Sequence, residues 1–197
     1  MKQALLVNGH QPYEGISPGT LNAAFVEQAA DHLAGAGFEV IRTEAASGWD
    51  NEVEIRRILA SDILFFQFPI NSMGVTWLLK KYLDEVFTAG MDGRLSTGDG
   101  RTRSDPSRQY GTGGLLNGKR YMLSTTLNAP RFAFEDDTQT FFAGSSVDDL
   151  LYPIHLNFRF FGLTALPTFA AYDVKKNLDF EADQARLNAM LTVAFPR

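Results

Sequence analysis

Three polar segments carry residue types that could bind a small ligand, and each begins where a short apolar run ends. The first, residues 8–22, places small and hydroxyl-bearing side chains just ahead of a helix-like stretch. The free N–H groups at the start of such a helix attract a phosphate. The alternative interpretation is an ordinary strand-to-helix loop in which Ser17 or Thr20 caps the helix.

The other two segments are rich in turn-forming residues. Residues 67–74 contain Pro69 and Gly74, which predict a turn whose backbone amides could face a flat polar ring. Residues 126–130 (TLNAP) form a second polar turn. Each segment alone also fits a bare turn, whereas the convergence of all three favours a nucleotide-like ligand. The chain has neither a GxxxxGK[ST] nor a GxGxxG motif, so P-loop and classical dinucleotide-binding proteins are excluded.

Patterns for other kinds of catalysis are missing from the sequence. There is no cysteine, and no catalytic triad, metal cluster or carboxylate pair emerges, so no metal is predicted. The aspartate pairs at 136–137 and 148–149 are interpreted as solvated turns or helix starts. His155 has two interpretations, a partly buried histidine with satisfied ring nitrogens or a proton donor.

The elements that must position these segments alternate between short apolar runs and amphipathic stretches, the pattern of a parallel α/β sheet. Strands are predicted near 4–7, 38–41, 63–66, 120–127 and 166–172, and helices near 20–36, 51–60, 75–87, 147–161 and 181–193. Right-handed crossovers favour a three-layer sandwich around a five-stranded parallel sheet of order 2-1-3-4-5. Ligands bind such sheets at the carboxyl ends of the strands, where the three segments would meet.

Composition narrows the class of protein further. The 197 residues are 45% hydrophobic and 21% charged, which predicts a single folded domain over 1–197. A formal net charge of −5 argues against general nucleic-acid binding. No apolar run reaches membrane-spanning length, and the first residues do not resemble a signal peptide, so no membrane insertion and a cytoplasmic location are expected. The stretch 91–119 lacks apolar periodicity and is predicted to be a functional or mobile loop.

Several motifs resemble those of one family. The likeness is carried by residues 67–69 (QFP), 73–74 (MG), Trp77 and 80–87 (KKYLDEVF), followed by 99–103 (DGRTR), 105–107 (DPS), 110–114 (YGTGG), 119–124 (KRYMLS), 126–130 (TLNAP) and 166–169 (LPTF). Together they resemble the flavodoxin-like NAD(P)H:quinone reductases, most closely the bacterial modulator of drug activity B branch. The resemblance covers nearly the whole chain, and the run from Asp99 to Pro130 is specific to it.

The resemblance implies a flavodoxin-like fold, a homodimer, and FAD rather than FMN as cofactor. It implies two-electron reduction of quinones by NAD(P)H in a ping-pong cycle. The implied cofactor-binding residues are His10, Ser17, Gly19, Thr20, Leu21, Asn22, Pro69, Ile70, Asn71, Ser72, Met73, Tyr110, Thr126, Leu127, Asn128 and Ala129. Tyr110, beside the flavin or its adenosine portion, and His155, as proton donor to the reduced quinone, are the catalytic candidates.

The same resemblance suggests roles for backbone and loop groups. The N–H groups of Asn128 and Ala129 could stabilise negative charge near the flavin N1 atom. The arginines of the 91–119 loop could receive a 2′-phosphate or the FAD of a dimer mate, although a solvated loop is an equal interpretation; these are Arg94, Arg101, Arg103 and Arg108.

Two departures from the family pattern keep other functions open. Relatives usually carry an aromatic pair where this chain has Asn71 and Ser72, and a proline where it has Thr76. Small polar groups at 71 and 72 put the substrate in doubt and could favour azo or nitro acceptors. A non-enzymatic flavodoxin-like electron carrier or binding module is the third hypothesis, against which the long 91–119 loop stands.

Overall fold

The computed structural model describes residues 1–196 and contains six strands and six α-helices. The strands are β1 (Lys2–Asn8), β2 (Phe38–Glu44), β3 (Ile63–Pro69), β4 (Arg120–Thr126), β5 (Thr164–Ala165) and β6 (Phe169–Ala171). The helices are α1 (Thr20–Gly35), α2 (Asn51–Ala60), α3 (Trp77–Ala89), α4 (Val147–Leu150), α5 (Tyr152–Phe160) and α6 (Phe180–Ala194). No helix among the described residues is long and apolar enough to cross a bilayer.

All strand pairs are parallel, and the sheet order is β2-β1-β3-β4, with both β5 and β6 paired to β4. The predicted order is therefore confirmed. Of the predicted fifth strand at 166–172, only β6 is observed, and the short strand β5 precedes the predicted range, with Leu166, Pro167 and Thr168 between the two. Pro167 has no N–H to give to a ladder, which explains the interruption at an edge of the sheet.

Helices cover both faces of the sheet, as the three-layer prediction required. Alternate residues of β1 point to opposite faces, so Leu5 and Val7 pack with α2, α3 and α5, and Ala4 and Leu6 pack with α1 and α6. β3 is buried on both faces along residues 63–68, which is typical of a central strand in such a sheet.

Two helices differ from their predicted bounds for local reasons. α3 begins at Trp77 because the Thr76 side chain accepts a hydrogen bond from the Leu79 N–H and caps the helix. The helix predicted over 147–161 is divided at Leu151 into α4 and α5. Pro153 cannot donate to a carbonyl one turn earlier, so the ladder restarts there.

The stretch 91–119 is held at its base. Leu95 and Leu116 are fully buried, and the Leu115 N–H donates to the Leu95 carbonyl. A Cβ at Gly114 would lie 2.2 Å from the carbonyl carbon of Phe161, so only glycine permits this approach of two backbones. The base therefore packs on the end of α5, while residues 101–110 are exposed.

Candidate functional site

A cleft of about 540 Å³ lies at the carboxyl edge of the sheet, where the loops after β1, β3 and β4 meet. Twelve of the predicted cofactor-binding residues line it: Ser17, Gly19, Thr20, Leu21, Asn22, Pro69, Ile70, Asn71, Ser72, Thr126, Leu127 and Asn128. Its remaining lining comes from Tyr13, Ile16, Pro18, Val174 and Lys175. The structure thus brings the three polar segments into one concave site.

Helix α1 opens into this cleft with its first N–H groups unpaired. Gly19 is the N-cap residue, at φ +91°, and no side chain caps the helix. The alternative in which Ser17 or Thr20 caps α1 is therefore not observed. By contrast, Asp50, Thr76 and Asp179 each accept a hydrogen bond from the first turn of their helix. The start of α1 also has no acidic residue, which leaves its backbone donors and positive dipole end for an anion.

His10 supports the first loop from below and does not line the cleft. Its Nε2 lies 3.1 Å from the Ser17 carbonyl oxygen and must donate to it, since a carbonyl only accepts. A Cβ at Gly19 would lie 2.5 Å from the His10 ring, so the ring fills the space directly under the helix cap. His10 Nδ1 is buried and has no hydrogen-bond partner among the described residues.

The loop after β3 is a tight, strained turn. Asn71 and Gly74 exchange backbone hydrogen bonds of 2.9 and 3.0 Å, and Ser72 and Met73 between them have φ of +48° and +62°. The turn predicted from Pro69 and Gly74 is present, and its positive φ angles fall on two non-glycine residues and not on Gly74. Such strain is often found at ligand sites. Met73 projects outward and does not line the cleft.

The loop after β4 is joined to both of its neighbours. The Ile70 N–H donates to the Thr126 carbonyl at 2.8 Å, and the Leu127 N–H donates to the Ala171 carbonyl at 2.9 Å. Within the described chain, the N–H groups of Asn128 and Ala129 have no acceptor. The Asn128 N–H is therefore a free donor in a residue that lines the cleft, whereas Ala129 does not line it.

Two cleft residues lie outside the three polar segments that the sequence predicted. Val174 and Lys175 follow β6 and reach the same edge of the sheet. The topology offered the signal for them, because the end of every parallel strand lies at this edge. Lys175 is exposed and adds a positive charge to the lining of the cleft.

The two catalytic candidates lie outside this cleft. His155 accepts from the Tyr121 hydroxyl at Nδ1 (2.6 Å) and donates from Nε2 to Asp148 (3.2 Å), in a separate groove of about 570 Å³. The hydrogen bond to His155 holds the pKa of the Asp148 carboxyl below its usual range. Burial raises the pKa of Tyr121 to about 12. Both ring nitrogens of His155 are therefore satisfied by this chain.

Tyr110 lies on a third surface, which we term the α3–α5 groove. This groove of about 720 Å³ runs between α3 and α5, and Tyr110, Leu83, Phe87, Met91, Leu156 and Phe160 contribute to its walls. The ring of Tyr110 is 70% exposed and lies 5.5 Å from the Arg101 guanidinium carbon. Among residues 1–196, no group of three His, Asp or Glu side chains is arranged to hold a metal ion.

Comparison with known proteins agrees with the fold. Residues 2–193 match the Flavodoxin_2 family, described as a flavodoxin-like fold. The chain is 43% identical to an uncharacterized protein of Schizosaccharomyces pombe over 88% of this chain and 87% of that one. It is 41% identical to the NADPH:quinone oxidoreductase MdaB of Haemophilus influenzae over 97% of this chain and 98% of that one. A solved structure, general stress protein 14 from Treponema denticola in complex with FMN, superimposes on this chain with a TM-score of 0.67. The superposition covers 97% of this chain and 98% of that one at 22% identity, so the two proteins share a fold.

Proposed function

This chain belongs to the Flavodoxin_2 family, and from that membership we propose that it is a flavin-dependent NAD(P)H:quinone oxidoreductase. The observation that carries the proposal is the cleft at the carboxyl edge, whose wall at the start of α1 consists of unpaired backbone donors. Cofactor sites in open α/β sheets lie at this position. A volume of about 540 Å³ is in the usual range of a small-molecule site.

The residues present fit a flavin. The N–H groups of Thr20 and Leu21 would hold its phosphate, assisted by the helix dipole. The backbone of residues 69–72 and of residues 126–128 would flank its ring system. His10 would hold the phosphate loop in shape through its bond to Ser17. We favour FAD over FMN, as the sequence resemblance implies.

A bound flavin would supply the redox chemistry, taking a hydride from NAD(P)H and returning two electrons to a quinone. The protein groups have simpler tasks. The free N–H groups of Asn128 and Ala129 would stabilise negative charge at the pyrimidine edge of the ring. The open side of the cleft would admit NAD(P)H and the quinone in turn, which corresponds to a ping-pong cycle. His155 as a proton donor and Tyr110 as a residue beside the flavin stay predictions, because both residues lie outside the cleft of their own chain.

We propose further that two copies pair through the α3–α5 groove. Leu156 and Met91 are exposed there although both are apolar. The cytoplasmic location expected from the sequence stays a prediction.

One observation favours a second candidate acceptor. Asn71 and Ser72 make the β3 side of the cleft polar, which suits azo or nitro compounds as well as quinones. The chemistry at the flavin would be the same two-electron transfer, so only the acceptor differs.

The test of the proposal is spectroscopic. The purified protein, reconstituted with FAD if necessary, should show a visible flavin band that bleaches when NADPH is added without oxygen and returns when menadione is added. The flavin released by heating identifies the cofactor as FAD or FMN. A protein that retains no flavin after reconstitution would instead be the non-enzymatic binding module, and one that binds flavin but is not reduced by NADPH or NADH would be an electron carrier.

A further inference from the structure

Three buried polar side chains form a chain of hydrogen bonds beneath the cleft. The Ser124 hydroxyl lies 2.6 Å from Gln67 Oε1, and Gln67 Nε2 lies 2.8 Å from Asn22 Oδ1. Ser124 is on β4, Gln67 on β3 and Asn22 in the first turn of α1, so the bonds cross from the sheet to the helix. All three residues are buried, and only Asn22 reaches the cleft.

The direction of these bonds follows from the needs of Ser124. A buried hydroxyl hydrogen requires an acceptor, and Gln67 Oε1 is the acceptor that the described structure offers to it. With its oxygen so engaged, Gln67 must present its NH₂ group to Asn22, which can accept only through Oδ1. The Thr126 hydroxyl adds a longer contact of 3.5 Å to the same Oδ1.

We infer that Ser124 and Gln67 are positioning residues that hold the Asn22 amide with its NH₂ group toward the cleft. Asn22 Nδ2 has no acceptor within the described chain. The NH₂ group therefore adds a side-chain donor to the unpaired backbone N–H groups at the start of α1. If the direction of these hydrogen bonds were reversed, Asn22 Oδ1 would face the cleft and would repel a phosphate. The inference rests on the proposed function in taking that phosphate to be the one of the flavin.

Two variants of Gln67 distinguish control of the Asn22 amide orientation from a merely structural role. In Gln67→Glu, an ionised carboxylate accepts from both Ser124 and Asn22, so the Asn22 amide turns over and Oδ1 faces the cleft. In Gln67→Met, a side chain of similar length neither donates nor accepts, and the amide stays free to turn its NH₂ group to an anion. We expect Gln67→Glu to bind FAD at least about tenfold more weakly than Gln67→Met at pH 8, measured by quenching of flavin fluorescence. Equal affinities of the two variants would overturn the inference.

The pH dependence of Gln67→Glu supplies a readout that altered packing would not produce. When the carboxyl is protonated, its O–H donates to Asn22 and its carbonyl accepts from Ser124, as the glutamine does. Its FAD affinity should therefore rise toward that of wild type as the pH falls from 8 to about 5.5, since burial raises the pKa of a carboxyl. The FAD affinity of Gln67→Met, relative to that of wild type, should stay constant over this pH range. A constant relative affinity for Gln67→Glu would contradict the mechanism.

A measurement without flavin keeps this inference separate from the proposed function. In nitrogen-15 NMR spectra of the ligand-free protein, the Asn22 NH₂ signals, identified by their loss in Asn22→Asp, should exchange rapidly with water in wild type. They should exchange slowly in Gln67→Glu at pH 8, where the group is buried. If Gln67→Glu does not fold, the Ser124→Ala variant tests the inference instead. Loss of the Ser124 hydroxyl frees the Gln67 amide to reverse, so the FAD affinity of this variant should fall several-fold. A Ser124→Ala protein with wild-type affinity would overturn the inference. Failure of the wild-type protein to bind any flavin would refute the proposed function and leave the exchange result standing by itself.

Discussion

The hydroxyl of Thr76 donates a hydrogen bond of 2.6 Å to the carbonyl oxygen of Gly9. The same hydroxyl accepts from the Leu79 N–H at 3.0 Å, and Thr76 is buried. A Cβ at Gly9 would lie 2.8 Å from the Cβ of Leu79, so the turn after β1 packs directly on the first turn of α3. The loops that follow β1 and β3 are thereby joined through one side chain.

Thr76→Val should therefore lower the free energy of unfolding by about 1–2 kcal/mol, because a helix cap and a buried hydrogen bond are lost together at constant side-chain shape. Urea denaturation followed by circular dichroism measures the change. Thr76→Ser retains the hydroxyl and serves as the control, and a Thr76→Val protein as stable as wild type would show that the contact contributes nothing.

An aromatic side chain at Asn71 should change the acceptor preference and leave flavin content unaltered. Asn71 lines the cleft through its side chain, whereas its backbone bonds to Gly74 form the turn whatever the side chain is. We expect Asn71→Trp to change the ratio of kcat/KM for menadione to that for an azo dye by at least about threefold, since a flat apolar wall discriminates by a few kcal/mol at most. Met73→Trp, on the same turn but outside the cleft, is the matched control. Identical acceptor profiles for Asn71→Trp and wild type would remove residue 71 from acceptor selection.

The four arginines of the 91–119 loop are not equivalent. Arg94 forms ion pairs with Glu52 and Asp92, and Arg101 with Asp99. Arg103 and Arg108 form no ion pair among the described residues and are exposed. These two are therefore the arginines available to a 2′-phosphate.

The double substitution Arg103→Gln and Arg108→Gln should raise the KM for NADPH more than the KM for NADH, because only NADPH carries the 2′-phosphate. Steady-state kinetics with both cofactors measure the two constants. Arg56→Gln removes an exposed positive charge from α2 and should change neither the KM for NADPH nor the KM for NADH. Equal changes in both KM values would assign the loop a structural role.

Tyr121 should make the protein sensitive to alkali. Burial raises its pKa to about 12, so the folded state holds the phenol proton more tightly than the unfolded state, where the pKa is near 10. The corresponding stability is complete below pH 10 and is lost as the pH rises through 12. Between about pH 9 and 12, wild type should lose about 1–2 kcal/mol more unfolding free energy than Tyr121→Phe. Tyr82 and Tyr172, whose pKa values burial also raises, contribute equally to both proteins, so parallel curves would contradict the assignment.

A charge in the α3–α5 groove should separate the proposed dimer. Leu156→Glu places a carboxylate on an apolar surface that a second copy would desolvate, at a cost of several kcal/mol. Sedimentation should give twice the mass of one chain for wild type and a single chain for Leu156→Glu. Val193→Glu, on the exposed surface of α6, is the control and should remain paired. A monomeric wild type, or a Leu156→Glu protein that stays paired, would refute the dimer.

Much of the architecture could be predicted from local signals. The bounds of α2 were predicted as observed, since its cap Asp50 and its apolar spacing act within one or two helical turns. The apolar run at 63–66 identified a central strand, and the alternation of strands and helices then determined the sheet order and the edge where the loops meet. The sequence by itself therefore determined the class of fold and the three loops that form the cleft, and the family resemblance named twelve residues of its lining.

Only the tertiary structure decided which polar atoms remain free. Gln67 bonds to Asn22, 45 residues away, and to Ser124, 57 residues away, and these pairs exist because strand register and helix docking bring them together. The same applies to His155, whose nitrogens are satisfied by Tyr121 and Asp148 at the edge of the sheet and away from the cleft. Periodicity and capping operate over a few residues and can be read along the chain, whereas hydrogen-bond satisfaction is a property of the packed interior, where each donor takes whichever acceptor the fold places beside it.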